Sequence, residues 1–270
     1  MESMNMNVKI KNINSNARGH IQINNVCKKY ESSQGDTINV LNNLSLDIAP
    51  GELNVIMGVS GCGKSTLAYL LAGYLEPDKG ELKIDGENIK GPSSDRVIVF
   101  QETALWPWMT VIDNVTFGPK ARKEMTSREA EDLANDLLKE FGLEQFSDKY
   151  PNQLSGGMKR RAEIAQALIN RPSVMILDEP FRGLDVMTRE LLQEYYLRLF
   201  EERKLTTVFI TSELDEAIFL ADSIYVMADK PSFIKDVIEV DLARPRTIDL
   251  MASDQYFDLE NRVMESLYNK

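Results

Sequence analysis

The sequence predicts an α/β domain built around a mostly parallel sheet. Short apolar runs alternate with helical patterns along the chain, the order of elements found in such domains. The runs "VMIL" and "TVFI" show no polar alternation, as expected of parallel strands buried on both faces. A glycine-rich turn joins one apolar run directly to a helical one.

In chain order, the predicted strands are "IQINNV" (21–26), "LSLDI" (44–48), "LNVIM" (53–57), "VIVF" (97–100), "VMILD" (174–178), "TVFIT" (207–211) and "SIYVM" (223–227). Helices are expected at "KSTLAYLLAGY", at 155–170 before Arg171-Pro172, and at 186–203, where Leu191, Leu192, Tyr195 and Leu199 recur at helical spacing. In the segment 126–142, Thr126 and Glu129 have capping-box spacing. Ala130, Leu133, Leu137 and Phe141 share one face, and Gly142 can end the helix. Residues 102–170 therefore read as a largely helical lobe inserted between strands. The segment 253–269 reads as an amphipathic helix packed on the domain edge. The polar, Asn-rich start reads as a disordered leader (1–19), followed by one domain (20–270).

Composition limits the function. Lys plus Arg total 31 against 42 Asp plus Glu, a net charge of -11, which disfavours nucleic acid as a partner. Two cysteines suit a reducing compartment rather than a disulfide framework. No apolar run is long enough to span a bilayer.

The turn "GVSGCGKST" has the pattern G-x-x-x-x-G-K-[ST], after a strand and before a helix. Phosphate oxygens must approach backbone N–H groups closely, and Gly58, Gly61 and Gly63 leave room for that turn. The following helix offers its N-terminal N–H groups and positive dipole end to the same anion. Lys64 is suited to neutralise β- and γ-phosphate charge, and the Ser65 hydroxyl to ligate Mg²⁺. Ser60, Cys62 and Thr66 belong to the same candidate nucleotide-binding stretch, with Cys62 read as a small loop residue and not a redox group. Downstream, "SVMILDEP" ends an apolar strand in two acids. Asp178 is the candidate for the Mg²⁺ shell and Glu179 the candidate to accept a proton from attacking water.

With "LSGGMKRR" (154–161) added, the sequence resembles the ATP-binding subunits of ABC transporters over nearly its whole length from residue 20. The resemblance implies a P-loop NTPase fold of the ABC type, with an antiparallel β region beside the parallel core. It implies ATP and Mg²⁺ as ligands, and pairing with a second ATP-binding subunit whose Ser155, Gly156 and Gly157 bind the γ-phosphate held by the first. At least two of Lys159, Arg160 and Arg161 are expected on a solvated helix face with ion pairs. Within the family pattern, Gln101 matches a glutamine that touches Mg²⁺ and the attacking water. Tyr30 matches the aromatic that stacks on adenine, and Asp185 a loop that reaches across the dimer. Arg182-Gly183 stands where the family often has a small residue before Leu-Asp.

The stretch "ALWPWMTVIDNVTFG" (104–118), with "YPNQLSGGM" and "LARPRTIDL", is similar to nitrate, sulfonate and taurine importer ATPases. This implies a peripheral subunit at the cytoplasmic face of the membrane, indirectly serving a substrate-binding protein. Trp106, Pro107 and Trp108 would lie beside the groove that receives a helix of the permease.

Ser212, in "FITSELDEA", stands where the family commonly has histidine. A serine can donate one hydrogen bond but carries no positive charge. A charged donor to phosphate contributes about 1.5–3 kcal/mol, so its loss in the transition state slows hydrolysis roughly 10- to 150-fold. Ser212 is also spaced to cap the next helix through a Ser212-x-x-Asp215 box. The sequence thus supports a hydrolysing subunit that powers import of a small anion. The alternative is a regulatory or non-transport ABC module with weak hydrolysis.

Overall fold

The structure, a computed structural model, describes residues 18–31 and 35–268. The expected leader lies outside the described residues, apart from Arg18 and Gly19. Ten strands and seven α-helices follow in order: β1 (Ile21–Glu31), β2 (Thr37–Ile48), β3 (Leu53–Met57), α1 (Lys64–Ala72), β4 (Lys79–Ile84), β5 (Glu87–Asn88), β6 (Arg96–Val99), α2 (Val111–Ala121), α3 (Ser127–Glu140), α4 (Gly156–Leu168), β7 (Val174–Asp178), α5 (Val186–Arg203), β8 (Thr206–Ile210), α6 (Leu214–Leu220), β9 (Ser223–Met227), β10 (Ile234–Glu239) and α7 (Asp254–Tyr268).

Six strands form the central sheet in the order β10-β9-β3-β8-β7-β6. All its neighbours pair in parallel except the edge strand β10, which runs antiparallel to β9. Every residue of β3, β7, β8 and β9 is buried. The pleat divides them between two cores. Val174, Ile176, Val208 and Ile210 pack with α1 and the small sheet, whereas Met175, Leu177 and Phe209 pack with the helices on the other face. Both faces are dry, which is why these strands read as continuous apolar runs.

The second sheet is antiparallel, in the order β2-β1-β4-β5. Its strands run further than the apolar runs suggest, because their outer residues are exposed and polar. Both β4 ("KGELKI") and β10 ("IKDVIE") escape a search for apolar runs, since each is charged on its outward face. Gly80 is required in β4: a Cβ there would lie 2.4 Å from the carbonyl oxygen of Asn25.

Between β6 and β7 the chain forms α2, α3 and α4 with short 3-10 turns at Glu144–Phe146 and Pro151–Gln153. Thr126 and Glu129 close a reciprocal capping box on α3, with Thr126 Oγ1 accepting from Glu129 N and Glu129 Oε2 accepting from Thr126 N. Gly142 follows with φ +64. At its far end α4 gives way to Arg171, itself at φ +49, just before Pro172. The helix α7 packs against α6, burying Tyr256 and Val263, and Tyr256 Oη donates to Asp215 Oδ1 at 3.1 Å.

One buried cation ties the end of the chain to the sheet. Arg246 is 5% exposed and donates to the carbonyl oxygens of Ile218, Phe219, Ala221, Val240 and Leu242. Three of these carbonyls are at the C-terminus of α6, where a cation also meets the negative end of the helix dipole. Burial brings its guanidinium down to about 10, still charged at neutral pH. Arg246→Met leaves these carbonyls without their donor and is expected to cost about 3 kcal/mol. The midpoint of urea unfolding should fall accordingly, and an unchanged midpoint would dismiss the clamp.

Candidate functional site

The parallel register brings four separated segments to one edge of the sheet. Ile56 lies opposite Ile210, Asp178 opposite Ile210, and Val99 opposite Leu177. The residues that follow β3, β6, β7 and β8 therefore emerge together: Gly58 to Thr66, Gln101, Glu179, and Thr211 with Ser212. Of these, Ser60, Gly61, Gly63 to Thr66, Gln101 and Glu179 border a cleft of about 430 Å³, together with Tyr30, Arg182 and Lys230, while Thr211 and Ser212 meet Glu179 in a small neighbouring pocket.

The loop after β3 cannot accept larger residues. A Cβ on Gly58 would lie 2.8 Å from Cys62 Sγ, and Gly63 sits at φ +121, with any Cβ 2.8 Å from Val40. Helix α1 starts at Lys64 with no side-chain cap and no acid in its first turn, so its first N–H groups remain available to an anion. Lys64 Nζ donates to Gly58 O at 2.8 Å and Val59 O at 3.2 Å. Cys62 is fully buried in the core beneath the loop, and burial pushes its thiol up despite the nearby Lys64 charge. Only its backbone serves the loop. Ser232 Oγ donates to Cys62 O, and Ser232 N to Val40 O at 2.9 Å, fastening the segment that carries Lys230 to the same wall.

Asp178 ends β7 and is 4% exposed. Burial pushes its carboxyl up, opposed by a hydrogen bond from Ser65 and by the Lys64 charge, while Glu179 adds to the rise. Its Oδ1 is buried with no hydrogen-bond partner. Glu179 follows at φ +45, a left-handed backbone held by its N–H to Ile210 O at 2.8 Å. Both its carboxylate oxygens are engaged: Oε1 accepts from Ser212 Oγ at 3.3 Å and Oε2 from Arg182 Nη1 at 2.6 Å.

Ser212 is not the expected helix cap. The N-cap of α6 is Glu213, with no side-chain cap bond. The local turn is closed instead by Thr211 Oγ1, which accepts from Glu213 N at 3.0 Å. Because β8 ends at Ile210 opposite Asp178, the residue two places on is directed toward Glu179 and away from the helix.

Tyr30, at the end of β1, pairs with Ile38 of β2 and is 39% exposed. Its Oη lies 3.4 Å from Thr66 Oγ1. Ile38 and Val40 extend this apolar wall. Neither was legible as a site residue, nor was Lys230, because each comes from a strand or loop that carries no motif.

Of the basic run at 159–161, Lys159 and Arg161 are partly exposed, whereas Arg160 does not lie on a solvated face. Arg160 is 6% exposed. Its Nη1 donates to Phe100 O and its Nη2 to Gln101 O, both at 2.7 Å. Nη1 also lies 2.8 Å from Glu163 Oε2, and Glu163 Oε1 accepts from Ala104 N. Burial pushes the Glu163 carboxyl up, with Arg160 pulling it partly back. This pair fastens the loop that carries Gln101 to helix α4. Arg161 is half-buried and donates to Phe141 O at 2.9 Å. The sequence shows three basic residues, but only tertiary packing sets which way each faces.

Ser155 caps α4, its Oγ accepting from Met158 N at 3.3 Å, and Asp185 caps α5, its Oδ1 accepting from Thr188 N at 3.0 Å. Ser155, Gly156, Gly157 and Asp185 are absent from the lining of the cleft. A second groove of about 590 Å³ lies between the end of β6 and helices α2 and α4, bordered by Tyr74, Phe100, Trp106 and Phe117. Trp106 meets Phe117 edge-on at 4.0 Å and stacks on Trp108 at 6.2 Å, and Trp108 is 70% exposed. Trp106 is thus only partly buried and Trp108 lies outside the core.

The family model for the ABC transporter matches residues 41–182, from β2 through the turn after Glu179. The chain belongs to the ABC transporter family. It is 40% identical over 253 residues to the bicarbonate transport ATP-binding protein CmpD of Synechocystis sp., covering 93% of this cassette and 89% of that protein. It is 38% identical to the nitrate import ATP-binding protein NrtD of Synechococcus elongatus, covering 93% of each. The dimeric ATP-binding cassette MJ0796, solved in a post-hydrolysis state with ADP and Pi, superposes with a TM-score of 0.72 at 31% identity, over 83% of this chain and 100% of that one. The cassette is thus an ATP-binding and ATP-hydrolysing subunit of a transporter, which works with another cassette and a membrane permease. Among its described residues no helix is long and apolar enough to cross a membrane.

Arg160→Met leaves Glu163 buried without a counter-charge and is expected to destabilise the cassette by about 3–5 kcal/mol. The double variant Arg160→Met/Glu163→Met should recover most of that loss in chemical denaturation. If the double variant is no more stable than the single one, the pair does not act as a unit.

Proposed function

We propose that this cassette hydrolyses ATP in the cleft at the carboxyl edge of its parallel sheet to power import of a small anion such as bicarbonate or nitrate. The observation that carries the hydrolytic assignment is the convergence of the glycine loop, Gln101 and Glu179 on one cleft, with Asp178 buried at the strand end just before Glu179. The likeness to CmpD and NrtD supports the substrate class.

The triphosphate is held by the backbone N–H groups from Gly58 to Thr66 and by the Lys64 ammonium. Tyr30 offers its ring to the adenine. The buried, unpartnered Asp178 Oδ1 beside the Ser65 hydroxyl suits a hard cation. Ser65, Asp178 and Gln101 would hold Mg²⁺, which neutralises charge on the β- and γ-phosphates when bound. Glu179 accepts a proton from water as the water oxygen bonds to the γ-phosphorus. The bond from that phosphorus to the β-bridging oxygen breaks, and ADP and inorganic phosphate leave. Ser212 orients the Glu179 carboxylate by its hydrogen bond.

Because Ser155, Gly156, Gly157 and Asp185 do not reach this cleft in their own chain, they serve the site of a second cassette. The stacked tryptophans Trp106 and Trp108 border the permease contact, and a substrate-binding protein selects the anion outside the membrane.

Glu179→Gln should lower turnover at least about a hundredfold while ATP affinity is retained. Ser212→Ala should lower it by about fivefold, the value of one neutral hydrogen bond. Steady-state phosphate release checks both, and full activity in Glu179→Gln removes the proton-acceptor role. A tagged cassette should co-purify from detergent-extracted membranes with a polytopic protein, and Trp108→Ala should weaken that recovery. Recovery of the cassette alone, under conditions that preserve other transporters, would count against the transport reading.

A further inference from the structure

The cleft holds a positive group that the roles above leave unused. The turn after β7 closes with Arg182 N donating to Glu179 O at 3.2 Å, which folds the Arg182 side chain back over the Glu179 carboxylate. One of its five N–H donors meets Glu179 Oε2 at 2.6 Å, and the others have no partner among the described residues. The side chain is 61% exposed and borders the cleft together with Lys64 and Lys230.

We propose that Arg182 recognises the third phosphate of the bound nucleotide, its guanidinium bridging Glu179 and the terminal phosphoryl oxygens. This rests on the assignment of Glu179 as proton acceptor. A base that acts through one water has the phosphorus under attack roughly 6 Å from its carboxylate, the sum of one hydrogen bond and one attack distance. A guanidinium already bonded to that carboxylate spans such a gap, because its donors form a planar fork with an affinity for phosphate. The α- and β-phosphates lie deeper, over the glycine loop and the start of α1, beyond this reach.

Arg189 shares a small pocket with Glu179 but is paired with Glu213 at 3.7 Å, and Lys230 borders the cleft from the segment after β9. Ser212 is neutral. Lys64 lies at the floor of the cleft, bonded to Gly58 O and Val59 O. The chain's single histidine, His20, lies 2.9 Å from Asp47 Oδ1 on the antiparallel sheet. A contact that ADP cannot make favours the triphosphate state and is lost when phosphate leaves, so Arg182 separates the two nucleotides by affinity.

The test is equilibrium binding of ADP and of β,γ-imido ATP to the purified full chain, with no turnover involved. In Arg182→Ala the imido analogue should bind about five- to tenfold more weakly while ADP changes by less than about twofold, an effect sized for a charged hydrogen bond discounted for exposure. Arg182→Lys, which keeps the charge and loses the fork, should fall between. Equal weakening of both nucleotides, or an unchanged affinity ratio in Arg182→Ala, overturns the inference while leaving the nucleotide site intact. Failure of the unaltered chain to bind either nucleotide overturns the site itself.

Discussion

Within the central sheet, Ile210 stands opposite both Ile56 and Asp178, and Leu177 opposite Val99. Those pairings are made by backbone hydrogen bonds buried on both faces, where an unpaired N–H or carbonyl would be costly. A slip of one residue would reverse every side chain between the two cores and carry Glu179 off the cleft. The apolar runs of β3, β7 and β8 therefore do more than fill space. They fix the register, and the register sets the distance between a phosphate loop and two acids more than a hundred residues further along the chain. The β3-to-α1 loop then needs glycines because Cys62, Met227 and Val40 press on it from below.

Two arginines serve a purpose that their charge alone does not suggest. Arg160 and Arg246 are both nearly sealed from water and spend their N–H groups largely on backbone carbonyls, at the loop of Gln101 and at the end of α6 respectively. Each joins a segment with no regular structure to an element of the scaffold. Arg160 belongs to the same helix that begins at Gly156 after its Ser155 cap, so that helix is tied directly to the loop carrying Gln101 beside the cleft. The guanidinium suits this task because its planar donors reach several acceptors at once and its charge persists when buried.

Glu179 combines a strained backbone with a doubly held side chain. A left-handed residue other than glycine persists only where its surroundings over-determine it. Here the strand end fixes its N–H, and Ser212 and Arg182 fix its carboxylate. A neutral hydroxyl from position 212 and a cation three residues after the acid thus hold the two carboxylate oxygens. The same turn leaves Gly183 and Asp185 exposed while Leu184 packs against the core beside Gly156, so the residues that hold the acid adjoin the start of α4.

The sequence alone determined the α/β class, the buried strands, the phosphate loop, the paired acids and the capping box at Thr126. Each of these is a local signal: a run, a period or a spacing, set by the immediate chemistry of adjacent residues. It did not determine β4 and β10, whose outward charges break any apolar run, nor the helix α2. It also left undecided which way Ser212, Arg160 and Arg182 point. A serine two residues after a strand can cap a helix or meet an acid with equal ease, and only the register of β8 against β7 chooses. Three consecutive basic residues look alike until packing buries one of them against Gln101. Direction and partner are properties of non-local pairing, and so the cleft's cation and the tether behind its glutamine emerge only from the tertiary structure.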